Sequence, residues 1–286
     1  ICIPLLGFLS EKFGRKNIYL IGIAGFSMFS ALSGFSQNLD QILIFRSLQG
    51  IFSAPLVALS QSIIVNAFPE KERGKALSFW TLGLLIGPLI GPLLGGYFAE
   101  HYSWRWVFLI NVPIGIIAFI GSYVCLEKNI INKKIKFAFL SFIFLALGAS
   151  SMQLVLDRGQ ILDWFSSDLI FNLTISAVMF LFVYFLMYFT KSKTLYPKEL
   201  FFDKNYIGGL IFVFLFGLLL VPPFILMPDF LSSIGGFPID KIGIILTTSG
   251  IGGMIGTLLA SRLLSYGYYK SLMIVGLIAY MIGQFY

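Results

Sequence analysis

Residues 77–99 read LSFWTLGLLIGPLIGPLLGGYFA, without one charged side chain. A helix of that length crosses the roughly 30 Å hydrocarbon core of a bilayer. Lipid admits only helices and closed barrels, and a run that is continuously apolar instead of alternating suits the helix. Cutting the rest of the chain at its polar breaks gives similar pieces on both sides. They are Ile1 to Phe8, Ile18 to Phe35, Ile42 to Phe68, Leu77 to Ala99, Trp106 to Leu126, Phe137 to Leu156, Leu169 to Phe189, Tyr206 to Leu231 and Ile242 to Leu264, with a tenth beginning near Leu272. The first is short and the last is cut at Tyr286, and residue 1 is not Met, so the sequence is expected to be the middle of a longer chain. The short apolar start lacks the basic leading region and small-residue cleavage site of a signal peptide.

Composition agrees. Of 286 residues, 58% are hydrophobic, 17% aromatic and 12% charged, whereas a soluble domain carries about 25% charged residues. The expected class is an all-α, polytopic membrane helix bundle with the lipid bilayer as its main solvent. Cys2 and Cys125 both lie in apolar runs, which leaves no disulfide framework, zinc knuckle or redox motif. No Ser/His, paired-Asp or HExxH constellation falls within a span, so an enzyme is not expected, and neither is a metal or cofactor. The net charge of +7 is scattered in short clusters between apolar runs, which argues against nucleic acid.

Those clusters set orientation. Loops 8–17, 69–76, 127–136, 190–205 and 262–271 hold 3, 3, 4, 4 and 2 Lys/Arg, 16 of the chain's 20. The alternate connections hold only Arg105, Arg158 and Lys241. By the positive-inside rule the first set is cytoplasmic and the second faces out. Arg46 alone is a cation inside a span, about one turn below the outer boundary by this cut. Insertion scales put a central Arg at about 2.5–3.5 kcal/mol, so a partner, water or a function must compensate it, unless it snorkels outward.

Three short patterns stand out. In GFLSEKFGRK, residues 7–16, Gly7 is expected to end a helix and Gly14 to supply a positive φ, with Glu11, Arg15 and Lys16 around the turn. Arg46-Ser-Leu-Gln49-Gly50 lies in the third piece. In the fourth, Gly83, Gly87, Gly91 and Gly95, joined by Gly96, recur every four residues and form a slowly winding stripe. Such a stripe lets another helix approach closely. Pro88 and Pro92 each remove an internal hydrogen bond and are expected to bend that helix.

In this order the patterns resemble signatures of the major facilitator superfamily: the G-x-L-x-D-x-x-G-R-K loop after helix 2, with Glu11 in place of Asp, the R-x-x-Q-G of helix 4, and the G-x3-G-P-x2-G-P-x2-G-G of helix 5 in proton-driven exporters. WRWVFLINVPIG at 104–115 and LDRGQILDWFSSD at 156–168 resemble segments of its fourteen-helix drug:proton antiporters, the EmrB/QacA type. A faded copy of the helix-2 loop, Gly256-Thr-Leu258 with Arg262, Gly267 and Lys270, falls eight helices after the original instead of six. That spacing implies two extra helices between the halves of a major facilitator fold. The expected division is 1–126 for the N-terminal half from the end of helix 2 to helix 6, 127–205 for the inserted pair and linker, and 206–286 for helices 9, 10 and part of 11.

The resemblance implies export of a hydrophobic or cationic small molecule in exchange for protons across the inner (cytoplasmic) membrane, by alternating access. It implies proton coupling at Arg46, Gln49 and Gly50, gating at Gly7, Glu11, Gly14, Arg15 and Lys16, and an antiporter hinge at Gly83, Gly87, Pro88, Gly91, Pro92, Gly95 and Gly96. EmrB-like members work with a periplasmic adaptor and an outer-membrane channel, QacA-like members alone, and nothing in the residues chooses between them. Export of a single metabolite, and a non-transporting membrane subunit, are the alternatives. His101 reads as solvated, Trp164 as an interfacial anchor, and GIGGMIG at 250–256 as helix packing, because its glycine spacing does not match a dinucleotide fingerprint. Asp229, near the outer end of its helix, is a candidate for the substrate cavity through attraction of cations. If it serves there, Asp229→Asn in the full-length protein lowers export of cationic relative to neutral substrates; unchanged preferences remove it from the site.

Overall fold

Asn38 shows how a helix begins in this chain. Its φ of −143° is extended, its side chain accepts a hydrogen bond from the Gln41 backbone N–H at 2.9 Å, and the Gln41 side chain accepts in turn from the Gln37 N–H at 2.8 Å. This reciprocal cap satisfies donors that the first turn leaves free. The helix then runs unbroken from Leu39 to Ala67.

The structure, a computed structural model, describes residues 2–127, 137–190, 195, 198–264 and 269–285. Its helices are α1 (Ile3–Phe13), α2 (Arg15–Gly34), α3 (Leu39–Ala67), α4 (Glu70–His101), α5 (Trp106–Leu109), α6 (Asn111–Cys125), α7 (Phe139–Arg158), α8 (Asp168–Thr190), α9 (Lys204–Ser233), α10 (Ile239–Leu264) and α11 (Tyr269–Phe285). Among the described residues there is no strand. Seven stretches are long and apolar enough to cross a membrane, and α9 and α11 hold shorter apolar runs. The chain is a multi-pass membrane protein with an all-α bundle.

The helix ends reach further than hydropathy alone suggests. Gly7, expected to end a helix, lies inside α1, and the break comes at Gly14, whose φ of 90° only glycine adopts readily. Polar residues from Ser10 to Lys12 continue the helix because Glu and Lys are good helix formers. The basic segment 69–76 is likewise helical from Glu70. Pro69 precedes the first turn, and Glu70 and Glu72 sit where the helix dipole favours carboxylates. Gly267 and most of the basic segments 127–136 and 190–197 lie outside the described residues. Conversely, Trp106–Cys125 is interrupted at Ile110. Pro113 has no N–H for the Leu109 carbonyl, which weakens the ladder at that point.

The described helices cluster as two units, one comprising 1–20 with 125–217 and the other 21–124 with 218–286. In the first, α7 and α8 form an antiparallel hairpin. Gly148 of α7 lies against Leu181 of α8, where a Cβ would come within 2.8 Å of the leucine Cγ. At the turn, the Trp164 indole lies over Gly159 and donates to Gln160 Oε1 at 3.1 Å. Lys16 donates to the Leu126 carbonyl, and Phe8 stacks on Phe137 at 4.8 Å.

In the second unit α2 is the central support. Gly22 and Gly25 accept Pro55 and Phe52 of α3 so closely that a Cβ on Gly25 would overlap the Phe52 ring. On α5 and α6, Leu109 packs on Gly34, and Gly115 packs on Ser27 so that a Cβ would overlap its hydroxyl. Overpacking such a contact costs about 1–3 kcal/mol. Gly115→Leu is therefore expected to lower the detergent melting temperature of the full-length protein by several degrees, whereas Gly87→Ala, where a Cβ meets nothing within 4 Å, leaves it within about one degree; equal melting temperatures for the two variants would contradict this packing.

Candidate functional site

Arg46 lies seven residues into α3, about 10 Å along the helix axis at 1.5 Å per residue. It is thus two turns inside the helix, which begins at the Asn38 cap, ahead of the apolar run that starts at Ile42. Its Nη1 donates to Gln49 Oε1 at 2.7 Å, one turn further along the same face. Its guanidinium carbon also stands 5.5 Å from the centre of the Phe108 ring. A carbonyl oxygen and an aromatic face together provide the compensation that a cation at this depth requires.

The side chain of Arg46 is accessible, whereas Gln49 is only 1% exposed. With its oxygen taken by Arg46, the Gln49 Nε2 is the buried side-chain polar atom without a hydrogen-bond partner among the described residues. An unpaired buried amide donor costs on the order of 1–3 kcal/mol. The Arg46–Gln49 pair therefore presents mainly donors, an arrangement suited to a carboxylate or another anionic or carbonyl oxygen. Gly50, the last residue of this pattern, is exposed, and a Cβ there meets nothing within 4 Å.

Behind Phe108 lies a polar cluster that sequence reasoning missed. Ser30, fully buried on α2, donates to the Phe108 carbonyl at 2.9 Å and accepts from Asn111 Nδ2 at 3.0 Å. Arg105 donates to the Ser36 carbonyl at 3.1 Å, its guanidinium 4.6 Å from the Trp104 ring. The available signal was the serine spacing at 27, 30 and 33 on α2, continued by Ser36 just past its end.

Gly83, Gly87, Gly91 and Gly95 lie in α4, which stays helical through Pro88 and Pro92. A Cβ built at any of the four meets nothing within 4 Å. The packing of α4 on α10 runs through other residues. Gly250 of α10 would place a Cβ 2.6 Å from Leu89 Cδ1, Gly253 faces Leu85, and Thr247 Oγ1 donates to the Leu89 carbonyl at 3.3 Å. Positions 85 and 89 are each two residues past a stripe glycine, about 200° around the helix. The stripe thus faces away from α10, while Gly250 and Gly253 of GIGGMIG pack on α4.

Glu11 is exposed on α1, and Gly14, Arg15 and Lys16 form the junction of α1 with α2. Asp229 is exposed in the last turn but one of α9, where its backbone carbonyl accepts from the Ser232 and Ser233 hydroxyls at 3.1 and 2.5 Å. A cavity of about 560 Å³ opens between the C-terminal part of α3 and the N-terminal part of α4, with Phe68, Phe79 and Trp80 in its walls together with Glu72 and Lys75.

The chain is 32% identical over 252 residues to the probable multidrug resistance protein EmrY of Escherichia coli K12, covering 88% of this chain and 49% of that protein. It is 30% identical over 285 residues to the multidrug export protein EmrB of Haemophilus influenzae, covering 99% of this chain and 55% of that protein. The fatty acid resistance protein FarB of Neisseria gonorrhoeae is 31% identical over 273 residues, with coverage of 92% and 54%. The chain thus spans about half the length of the curated relatives it matches. Residues 1–237, most of its length, match the profile described as Major Facilitator Superfamily, and the chain belongs to that family of membrane transporters.

Proposed function

We propose that this chain forms the central part of a proton-coupled exporter of hydrophobic and cationic small molecules, working by alternating access in the inner membrane. The observation that carries the reading is the Arg46–Gln49 pair. It is a permanent cation inside a span, hydrogen-bonded to a buried amide whose own N–H groups are unpaired. Arg does not titrate in proteins, so its contribution is electrostatic. A donor pair of this kind favours the ionised form of a carboxylate placed against it and so controls when that carboxylate takes or releases its proton. Gly50, with no Cβ, keeps the neighbouring helix face open.

Around this centre the Gly14 junction, with Gly7, Glu11, Arg15 and Lys16, acts as the cytoplasmic gate. The α4 stripe from Gly83 to Gly96 with Pro88 and Pro92 acts as the hinge. The partition at about 126 and 205 separates an N-terminal half, an inserted helix pair and the start of the second half. Similarity to proteins named for multidrug export and multidrug resistance supports a tolerant pocket. The FarB match supports a second reading, a dedicated exporter of lipid-like compounds. Both readings use the same coupling centre.

Arg46→Ala and Arg46→Lys in the full-length protein, reconstituted in vesicles with an imposed pH gradient, are expected to reduce proton-driven efflux at least about tenfold. That corresponds to about 1.4 kcal/mol. Lys keeps the charge but cannot span Gln49 and Phe108 as a planar guanidinium does. Efflux at the wild-type rate from well-folded variants would refute the role. Running the assay with drug cations and with fatty acids in parallel separates the two substrate classes.

A further inference from the structure

The family profile and the relatives leave the WRWVFLINVPIG segment without a task, and the structure places it against Arg46. We propose that Phe108 is the positioning residue for Arg46, supplying the aromatic face on which the guanidinium rests, and that Ser30 and Asn111 hold that face in place. This rests on Arg46 being the coupling residue.

Three contacts pin α5 and α6 to α2. Leu109 fills the space over Gly34, the Ser30 hydroxyl takes the Phe108 carbonyl and receives the Asn111 amide, and Gly115 fits over Ser27. The middle contact is the polar one and falls on Phe108 itself. At the helix break at Ile110 the Phe108 carbonyl accepts from the Ile110 N–H, and its second lone pair is open to the Ser30 hydroxyl. With the backbone of Phe108 fixed from behind by a fully buried serine, its ring is presented to α3 at 5.5 Å from the Arg46 guanidinium carbon. The ring quadrupole attracts a cation on its face and offers no hydrogen bond that would compete with Gln49. Arg46 is thus held by one acceptor at one end and by a π surface, while its remaining N–H groups stay available. Leucine at 108 would keep the bulk and lose the attraction.

The test incorporates phenylalanine with one, two and three ring fluorines at position 108 of the full-length protein, which drains the ring face with little change of shape. Proton-driven efflux in vesicles is expected to fall stepwise with fluorination, by about twofold to thirtyfold in total at maximal rate. The loss should appear in kcat and not in the KM for drug, which a merely structural role for the ring would not separate. Asn111→Ala should lower the same rate, and its effect should be less than additive with Phe108→Leu if both act through the ring. A flat fluorine series, or full additivity, overturns the proposal. If Arg46→Ala itself retains efflux, the coupling reading fails first; if Arg46→Ala abolishes efflux and the fluorine series is flat, only the role of Phe108 fails.

Discussion

Lipid offers a polar group no hydrogen bond, so every hydroxyl, amide and cation inside a span must find its partner within the protein. Most hydroxyls here solve this locally by donating to the carbonyl one turn back on their own helix. Ser27 donates to Ile23, Ser33 to Phe29, Ser150 to Ala146 and Thr174 to Ile170. Thr247 reaches the Leu89 carbonyl as well as its own helix, and Ser30 departs further. It sits between Ser27 and Ser33 on the same helix, yet it spends its proton on Phe108 and takes another from Asn111. A hydroxyl that leaves its own helix ties two helices at one register, which a purely apolar interface between α2 and α6 would not do. The placement of the ring beside Arg46 depends on that register.

The same constraint explains why the RSLQG pattern contains a glutamine. A guanidinium inside a span needs an acceptor that is not itself a charge competing for the next partner. An amide supplies one oxygen to Arg46 and retains two N–H donors, so the pair remains electropositive and hydrogen-bond-donating as a whole. A carboxylate at position 49 would neutralise the arginine permanently and remove its influence on any other acid.

Hydropathy alone located the spans, because lipid enforces length and continuity more strictly than water does. The positive φ at Gly14 was also readable, since a glycine before two cations between helical runs has few other uses. Helix ends were less legible. Charged residues at 11–12 and 70–75 end a hydrophobic run without ending a helix, so hydropathy predicts a helix end at Gly7 and a loop over 69–76 where the chain is helical through Gly7 and from Glu70 onward. The site was legible as a list of residues but not as an arrangement. Arg46 and Gln49 could be paired from their spacing of three. No periodicity indicates that Phe108, sixty-two residues later, turns its ring to the same cation, because that contact is set by a helix break and a serine on a third helix.

Glycine motifs show the same division. Gly25, Gly34, Gly115, Gly148 and Gly250 lack a Cβ because a neighbour occupies its place, and for them close packing is a sufficient reason. Gly83, Gly87, Gly91 and Gly95 are not explained in that way. The helix they belong to engages α10 through Leu85 and Leu89 on the opposite side, with Thr247 reaching the Leu89 carbonyl. A helix anchored by leucines on one face, with room beside its glycines among the described residues and two prolines that weaken its own ladder, can bend toward its glycine face without breaking the anchored contact. A motor element of alternating access needs this asymmetry, because a helix packed on both faces would have to unpack before it could move. On the proposed reading, the glycines are retained to leave a surface on α4 along which another helix can slide during transport.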